Sequence, residues 1–307
     1  MERPLLTWDP EGVQAWADTA PRAGAVLVHS LRGFVDAGRA GALVAEELLE
    51  KGDPVRIASF DIDQLLDYRS RRPEMTFSVN QWTSYDEPHL DLDLVHDEEG
   101  RAYLLLHGFE PDIQWERYIK EVRSIVERMG VELTLGTHGI PMAVPHTRDL
   151  MVTIHGTDQD LLPDTPSLFG TVTVPASAQN LLEYRFGQWG LTCVNVAVHV
   201  PHYLAQSSYP QAAQRALASV ADISGLAVDG GDLDEAASRA DEEIARQMSE
   251  SEEVQALVAA LEEQYDAFQE ARGEGAVDEA SLPSADELAA EFEKFLAQQR
   301  REPPNGA

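Results

Sequence analysis

The sequence predicts an α/β protein: a three-layer α/β/α sandwich on a mostly parallel sheet, with a helical appendage towards the C-terminus. Three observations carry this reading. Six short apolar runs, several without strict polar alternation, fit strands covered on both faces. Helix-length patterns lie between them, as the crossovers of a parallel sheet require. Beyond Val228 the strand-like runs stop and acid accumulates: residues 229–307 hold 22 acidic and 6 basic residues, −16 of a total net charge of −31.

Residues 1–19 read as an N-terminal extension and residues 20–228 as the α/β domain. Ala25 to Val28 is the first strand, and Gly33-Phe-Val-Asp36-Ala-Gly38-Arg-Ala-Gly41 turns the chain into a helix over Ala37 to Lys51. Val55 to Phe60 is the second strand and Tyr103 to Leu106 the third. A helix over Trp115 to Met129 starts after Pro111-Asp112 and stops at Gly130, the residue best suited to a left-handed helix end. Val131 to Leu135, Met151 to Ile154 and Cys193 to Val200 complete the strands, with a helix over Ala176 to Trp189 before the last. In residues 229–270 Leu233, Ala237, Ala240, Ile244 and Met248 recur at helical spacing. Val254, Leu257, Val258, Leu261, Tyr265 and Phe268 do so after a break at Ser249 to Ser251, which predicts a helical hairpin. Ala271 to Pro283 lacks periodicity and reads as a linker. Asp286 to Leu296 reads as a short helix capped by Ser284 with Glu287, and Arg300 to Ala307 as a disordered tail.

Charge excludes function classes. A net charge of −31 opposes binding to nucleic acid or anionic lipid, whose affinity comes largely from lysine and arginine. No run of 18 apolar residues exists, and the opening MERPLLTWDPEG lacks the basic start and apolar stretch of a signal peptide, so a cytoplasmic location is expected. Cys193 is the only cysteine and reads as a small buried hydrophobe among Leu191, Val194 and Val196. There is no His-Glu-x-x-His, no close cysteine pair and no Gly-x-Ser-x-Gly elbow, so no metal, cofactor or serine nucleophile is expected.

The stretch from His138 to Arg148 carries the most chemistry, with two imidazoles, a guanidinium, Pro141 and Pro145 directly behind an apolar run. Proline fixes φ and removes a donor, so this segment is expected to be a rigid loop after the strand ends, where open α/β sheets keep their sites. His202 follows the last strand in a similar Pro-anchored loop with Tyr203 and Gln206. His29, His107, His155 and His199 also fall at or near strand ends. His138, His146 and His202 are the candidate proton carriers, since imidazole titrates near neutral pH. The glycine turn either cradles an anion through Gly33, Asp36 and Gly38 at a helix start, or is a tight turn in which Asp36 caps the helix. Asp61 to Pro73 mixes Asp67, Tyr68, Arg69, Arg71 and Arg72: either a phosphate or acidic-partner site, or salt bridges within and between subunits.

These motifs together resemble the proteasome assembly chaperone 2 family, in its bacterial branch. The matching pieces are Gly33-Phe-Val-Asp36-Ala-Gly38, Asp67 to Phe77, Asp112-Ile-Gln-Trp115-Glu-Arg, His138 to Arg148 and Val200-Pro-His-Tyr-Leu-Ala-Gln206, in an order that spans most of residues 20–268. The resemblance implies a phosphorylase/hydrolase-like α/β/α domain and a homo-oligomer, with a trimer favoured. It also implies proteasome subunits as a class of protein partner, although the chain ends Pro-Pro-Asn-Gly-Ala307 and not in the hydrophobic-Tyr-x tail of the eukaryotic chaperones. The leading expectation is a noncatalytic homo-oligomeric interaction or assembly protein. In it Asp67, Tyr68, Arg71, Tyr203 and Gln206 are interface candidates. The alternative is an enzyme acting at the strand-end rim on a nucleoside-like or phosphate-bearing small molecule, held by Gly33, Gly38, Arg69, Arg72 or Arg148. A third reading has the rim histidines and arginines stitching subunits together.

Overall fold

A computed structural model describes residues 3–33, 35–163 and 171–273. The expected short helix over 286–296 and the tail lie outside these residues, as does most of the expected linker.

The chain builds a sheet of eight strands. Five run in one direction: β2 (Val26–Arg32), β3 (Val55–Phe60), β7 (Ala102–Phe109), β8 (Leu133–Met142) and β10 (Cys193–Pro201). Opposed to them are β1 (Leu6–Trp8), β6 (Leu90–His96) and β9 (Val152–Gly156), giving the order β1-β3-β6-β7-β2-β8-β10-β9. The centre, β7-β2-β8-β10, is wholly parallel and is the part whose apolar runs the sequence displays. On β6 the acids Asp91 and Asp93 alternate with Leu90, Leu92 and Leu94, and this hides a buried strand from a search for apolar runs. Its acids are held by charge: Arg56 pairs with Asp91 at 2.8 Å, and His107 Nε2 lies 2.8 Å from Asp93. Burial opposes ionisation of Asp93, but hydrogen bonds from His107 and Arg56 outweigh it and hold the carboxyl below its usual range.

Helices cover both faces. On one lie α1 (Pro10–Thr19), α3 (Trp115–Met129) and α4 (Ala178–Trp189), packed on Leu27, Leu31, Leu92, Leu104 and Leu106. The stripe Tyr118, Ile119, Val122, Ile125, Val126 and Met129 makes α3 amphipathic, and Gly130, at φ 69°, ends it. On the other face lie α2 (Ala40–Lys51) and α5 (Pro210–Ser224), the latter a helix that the sequence reading did not single out. Then come α6 (Asp234–Ser249), which adds Ile244 to that core, and α7 (Glu252–Gly273). The last three residues of α7 were expected to begin the linker. No helix among the described residues is long and apolar enough to cross a membrane.

Two short strands stand apart. β4 (Met75–Ser78) and β5 (Gln81–Tyr85) pair only with each other, and every residue of both is exposed.

The expectation of a loop at His138 needs correction, because β8 continues through Pro141 to Met142, paired in register with Val200 and Pro201 of β10. β2 stops pairing with β8 at Thr137. Beyond that point the amide of Gly139 turns to Asp36 on the vacated side, and Pro141, two residues on, faces the same way. Its missing N–H therefore breaks no ladder hydrogen bond, the condition under which proline survives in a sheet.

Candidate functional site

At the carboxyl ends of the parallel strands, under the start of α4, the sheet opens into a pocket of about 400 Å3. The position follows from topology. Gly33 follows the end of β2, Glu110 follows the end of β7, β8 passes His138 and Ile140, and β10 contributes Ala197, all of which line the cavity. In an open parallel sheet this edge is where diverging connections leave a crevice.

The floor is a hydrogen-bonded chain of polar groups, buried at Asn195, Gln179 and His138 and half-buried at Glu183 and His155. His155 on β9 places Nδ1 2.8 Å from Glu183 Oε2, and Asn195 Nδ2 donates to the same oxygen. A carboxylate oxygen only accepts, so the Asn195 amide must face Glu183 with its nitrogen, leaving Oδ1 to accept from Gln179 Nε2 at 3.0 Å. The same Gln179 nitrogen lies 3.3 Å from His138 Nδ1. Gln179 therefore donates to His138, and a neutral His138 carries its proton on Nε2. Burial lowers the His138 pKa to about 3, with smaller contributions from His155 and His29, so the ring is neutral at physiological pH. Beneath it His29 is fully buried and neither ring nitrogen has a partner among the described residues. Burial holds its pKa down at about 4.

Gly136 makes this layer possible. A Cβ there would lie 1.9 Å from Asn195 Oδ1 and 2.3 Å from His29 Cε1, so only glycine lets both side chains lie across the strand. Glu110 closes the far end, its Oε1 accepting from the Gln179 backbone amide at 3.2 Å. Of these residues the sequence singled out Gly33 and His138 and noted His29 and His155 as strand-end histidines. Glu110, Gln179, Glu183 and Asn195 were missed. The signals were present but weak: Asn195 is a lone polar residue in an apolar strand, and Gln179 and Glu183 are four apart on one face of α4.

The other sequence candidates are elsewhere. Asp36 accepts from Gly41 N at 2.7 Å, Ala42 N at 3.1 Å and Gly139 N at 3.3 Å, while Gly38 N donates to Ala205 O at 2.9 Å. The glycine turn is thus filled by its own carboxylate. Burial raises the Asp36 pKa to about 6 despite those bonds. Gly38, at φ 68°, also lets Tyr209 and Val200 approach closely.

His138, His146 and His202 do not converge, which corrects the expectation of a shared rim. Strand alternation puts His138 on the α4 side, whereas His146 hydrogen-bonds Tyr203 at 2.7 Å near the acids of α6 and α7. His202 stacks edge-on to Tyr203, ring centroids 5.4 Å apart, and Gln206 is exposed beyond them. Arg148 forms a fork to Asp266, both contacts 2.8 Å, and reaches Glu262 at 3.1 Å, tying the loop after β8 to α7. Arg71 ties the loop after β3 to Arg32 O at 3.1 Å and to Asp112 at 2.5 Å. Tyr68 donates to Asp63 at 2.6 Å, Arg69 contacts Asp67 at 3.2 Å and is otherwise open to solvent, and Arg72 is exposed.

An α/β sandwich with a polar-floored pocket at the ends of its parallel strands defines the class. The particular family follows from the match of the PAC2 family model to residues 30–248, and the chain belongs to that family. It is similar to a Mycobacterium tuberculosis protein of unknown function, 44% identical with a TM-score of 0.86 over 97% of this chain and 98% of that one. A Corynebacterium glutamicum protein of unknown function is 36% identical, with a TM-score of 0.80 over 88% and 100% of the two chains. A Mycobacterium tuberculosis proteasome-assembly chaperone homologue, 20% identical with a TM-score of 0.68 over 77% and 99%, shares the fold. No match was found among curated proteins.

Proposed function

We propose that this chain is a noncatalytic, homo-oligomeric interaction and assembly protein of the cytoplasm, with a ring of three copies as the favoured form. The β4–β5 hairpin carries this reading. Phe77 is 56% exposed, Trp82 62% and Val79 95%, with Met75 and Tyr85 beside them. Phe77 and Trp82 pack edge to face with centroids 5.1 Å apart. A lone two-stranded hairpin is marginal in water, and a cluster of large apolar side chains on a soluble protein marks a contact surface.

Charge favours a second copy as the occupant. Bringing together chains of net charge −31 is opposed by repulsion, so self-association is favoured at a surface poor in acid. Residues 75–85 carry no charge, and the exposed Arg69 and Arg72 before them counter the flanking acids Glu74, Asp86 and Glu87. Asp67, Tyr68 and Arg71, which support the same loop, are the interface residues on this side. The fold is also that of a proteasome-assembly chaperone homologue, which makes proteasome subunits the first class of further partner to try.

The test is the solution mass by light scattering of the native chain and of Phe77→Ser/Trp82→Ser, two changes at exposed positions that leave the core intact. An oligomer that falls to monomer in the double variant supports the reading. A monomeric native chain, or an oligomer indifferent to the substitutions, overturns it.

A further inference from the structure

We propose that the strand-end pocket binds a small nitrogenous molecule, cationic or neutral, through Glu183 and His138, and rejects phosphates and carboxylates. The cavity of about 400 Å3 is within the range of small-molecule sites. Its lining among the described residues includes the carboxylates Glu110 and Glu183 and no lysine or arginine. An anion would need those cations or free backbone amides. Three amides of the nearby helix start are already engaged: Gln179 N donates to Glu110, Asn180 N to Ser177 Oγ at 3.0 Å, and Leu181 N to Ser177 O at 3.0 Å. The phosphate-bearing substrate of the alternative sequence reading is therefore a poor fit to this pocket.

The polar floor presents a matched pair. The amide chain from Glu183 through Asn195 and Gln179 fixes His138 Nδ1 as acceptor and leaves its Nε2–H as a donor without a partner among the described residues. Glu183 Oε2 is engaged by His155 and Asn195, whereas Oε1 has no hydrogen-bond partner among the described residues. One fixed acceptor of negative character and one fixed neutral donor suit a ligand that offers an N–H and an adjacent lone pair or π face. Above them Val35, Ile140, Met142, Val172 and Val174 form an apolar wall for its body. Ligand sites commonly combine an apolar wall with a few convergent polar groups in this way.

Benzamidine, benzamide and benzoate share one ring and differ in head-group charge, so they separate charge from shape. Binding to the full chain is measured by calorimetry, and crystals soaked in each compound locate it. Benzamidine and benzamide are expected in the pocket with the head group at Glu183, benzamidine binding at least roughly tenfold tighter than benzoate. Glu183→Gln should remove most of the preference for benzamidine over benzamide, and Val174→Trp, on the exposed rim, should abolish binding of both while leaving the fold intact. Benzoate binding as well as benzamidine, or no probe in the pocket at millimolar concentration, overturns the proposal. The native-chain series decides even if Glu183→Gln fails to fold.

Discussion

Gly136→Ala tests the polar layer most directly. Gly136 is not in the left-handed region, so the substitution introduces no backbone strain and acts through the added methyl alone. That methyl would sit 1.9 Å from Asn195 Oδ1, 2.3 Å from His29 Cε1 and 2.7 Å from His29 Nε2. Overpacking of a full core costs about 1–3 kcal/mol. Pushing Asn195 away also breaks its bond to Gln179, leaving buried polar atoms unpaired at a further cost of about 1–3 kcal/mol. The expected loss is about 4 kcal/mol, a large part of the ~5–15 kcal/mol by which domains are stable. Urea unfolding followed by tryptophan fluorescence and circular dichroism measures it. Asn195→Ala alone breaks the same chain, so the double variant should be less destabilised than the sum of the singles by about 2 kcal/mol. A loss below about 1 kcal/mol for Gly136→Ala, or strict additivity with Asn195→Ala, would refute the close packing described here.

Acid should weaken the fold through the buried imidazoles. Burial lowers His29 and His199 to about 4 and His138 to about 3, so between about pH 6.5 and 4 each binds a proton unfolded and none folded, and stability falls as pH falls. Asp36, raised to about 6, works in the opposite sense from about pH 6 down to 4 and offsets one histidine, leaving a slope of roughly 2.7 kcal/mol per pH unit near pH 5. A urea midpoint unchanged between pH 7 and pH 5 would contradict this. Tyr118 buries a hydroxyl with no hydrogen-bond partner among the described residues, so Tyr118→Phe should leave the urea midpoint equal or raise it by up to ~1 kcal/mol equivalent, and a clear loss would reveal a partner for that hydroxyl. Arg148→Ala removes the contacts to Asp266 and Glu262, while Tyr265 still donates to Asp149 O at 2.9 Å. Faster proteolysis within α7, with the α/β core still protected, is expected; an unchanged cleavage pattern would show that the fork does not hold the helix.

The sequence by itself determined the parallel centre of the sheet, the helices that cross between its strands and the change of character after Val228. It could do so because burial on both faces leaves apolar runs, and burial on one face leaves a stripe at helical spacing. It did not reveal β6, whose buried acids depend on Arg56 and His107 from other strands. Nor did it place Pro141 within β8, since whether a proline interrupts a ladder depends on where the neighbouring strand stops. The candidate site was legible only in part, because His138 and His146, eight residues apart, are sent to opposite sides of the sheet by strand alternation and by the loop that follows. Only the tertiary structure assembled Glu110, His138, His155, Gln179 and Glu183 around one cavity, with Asn195 buried behind them. Hydrogen-bond partners drawn from β8, β9, β10 and α4 leave no local period in the chain, so their convergence is a property of the fold.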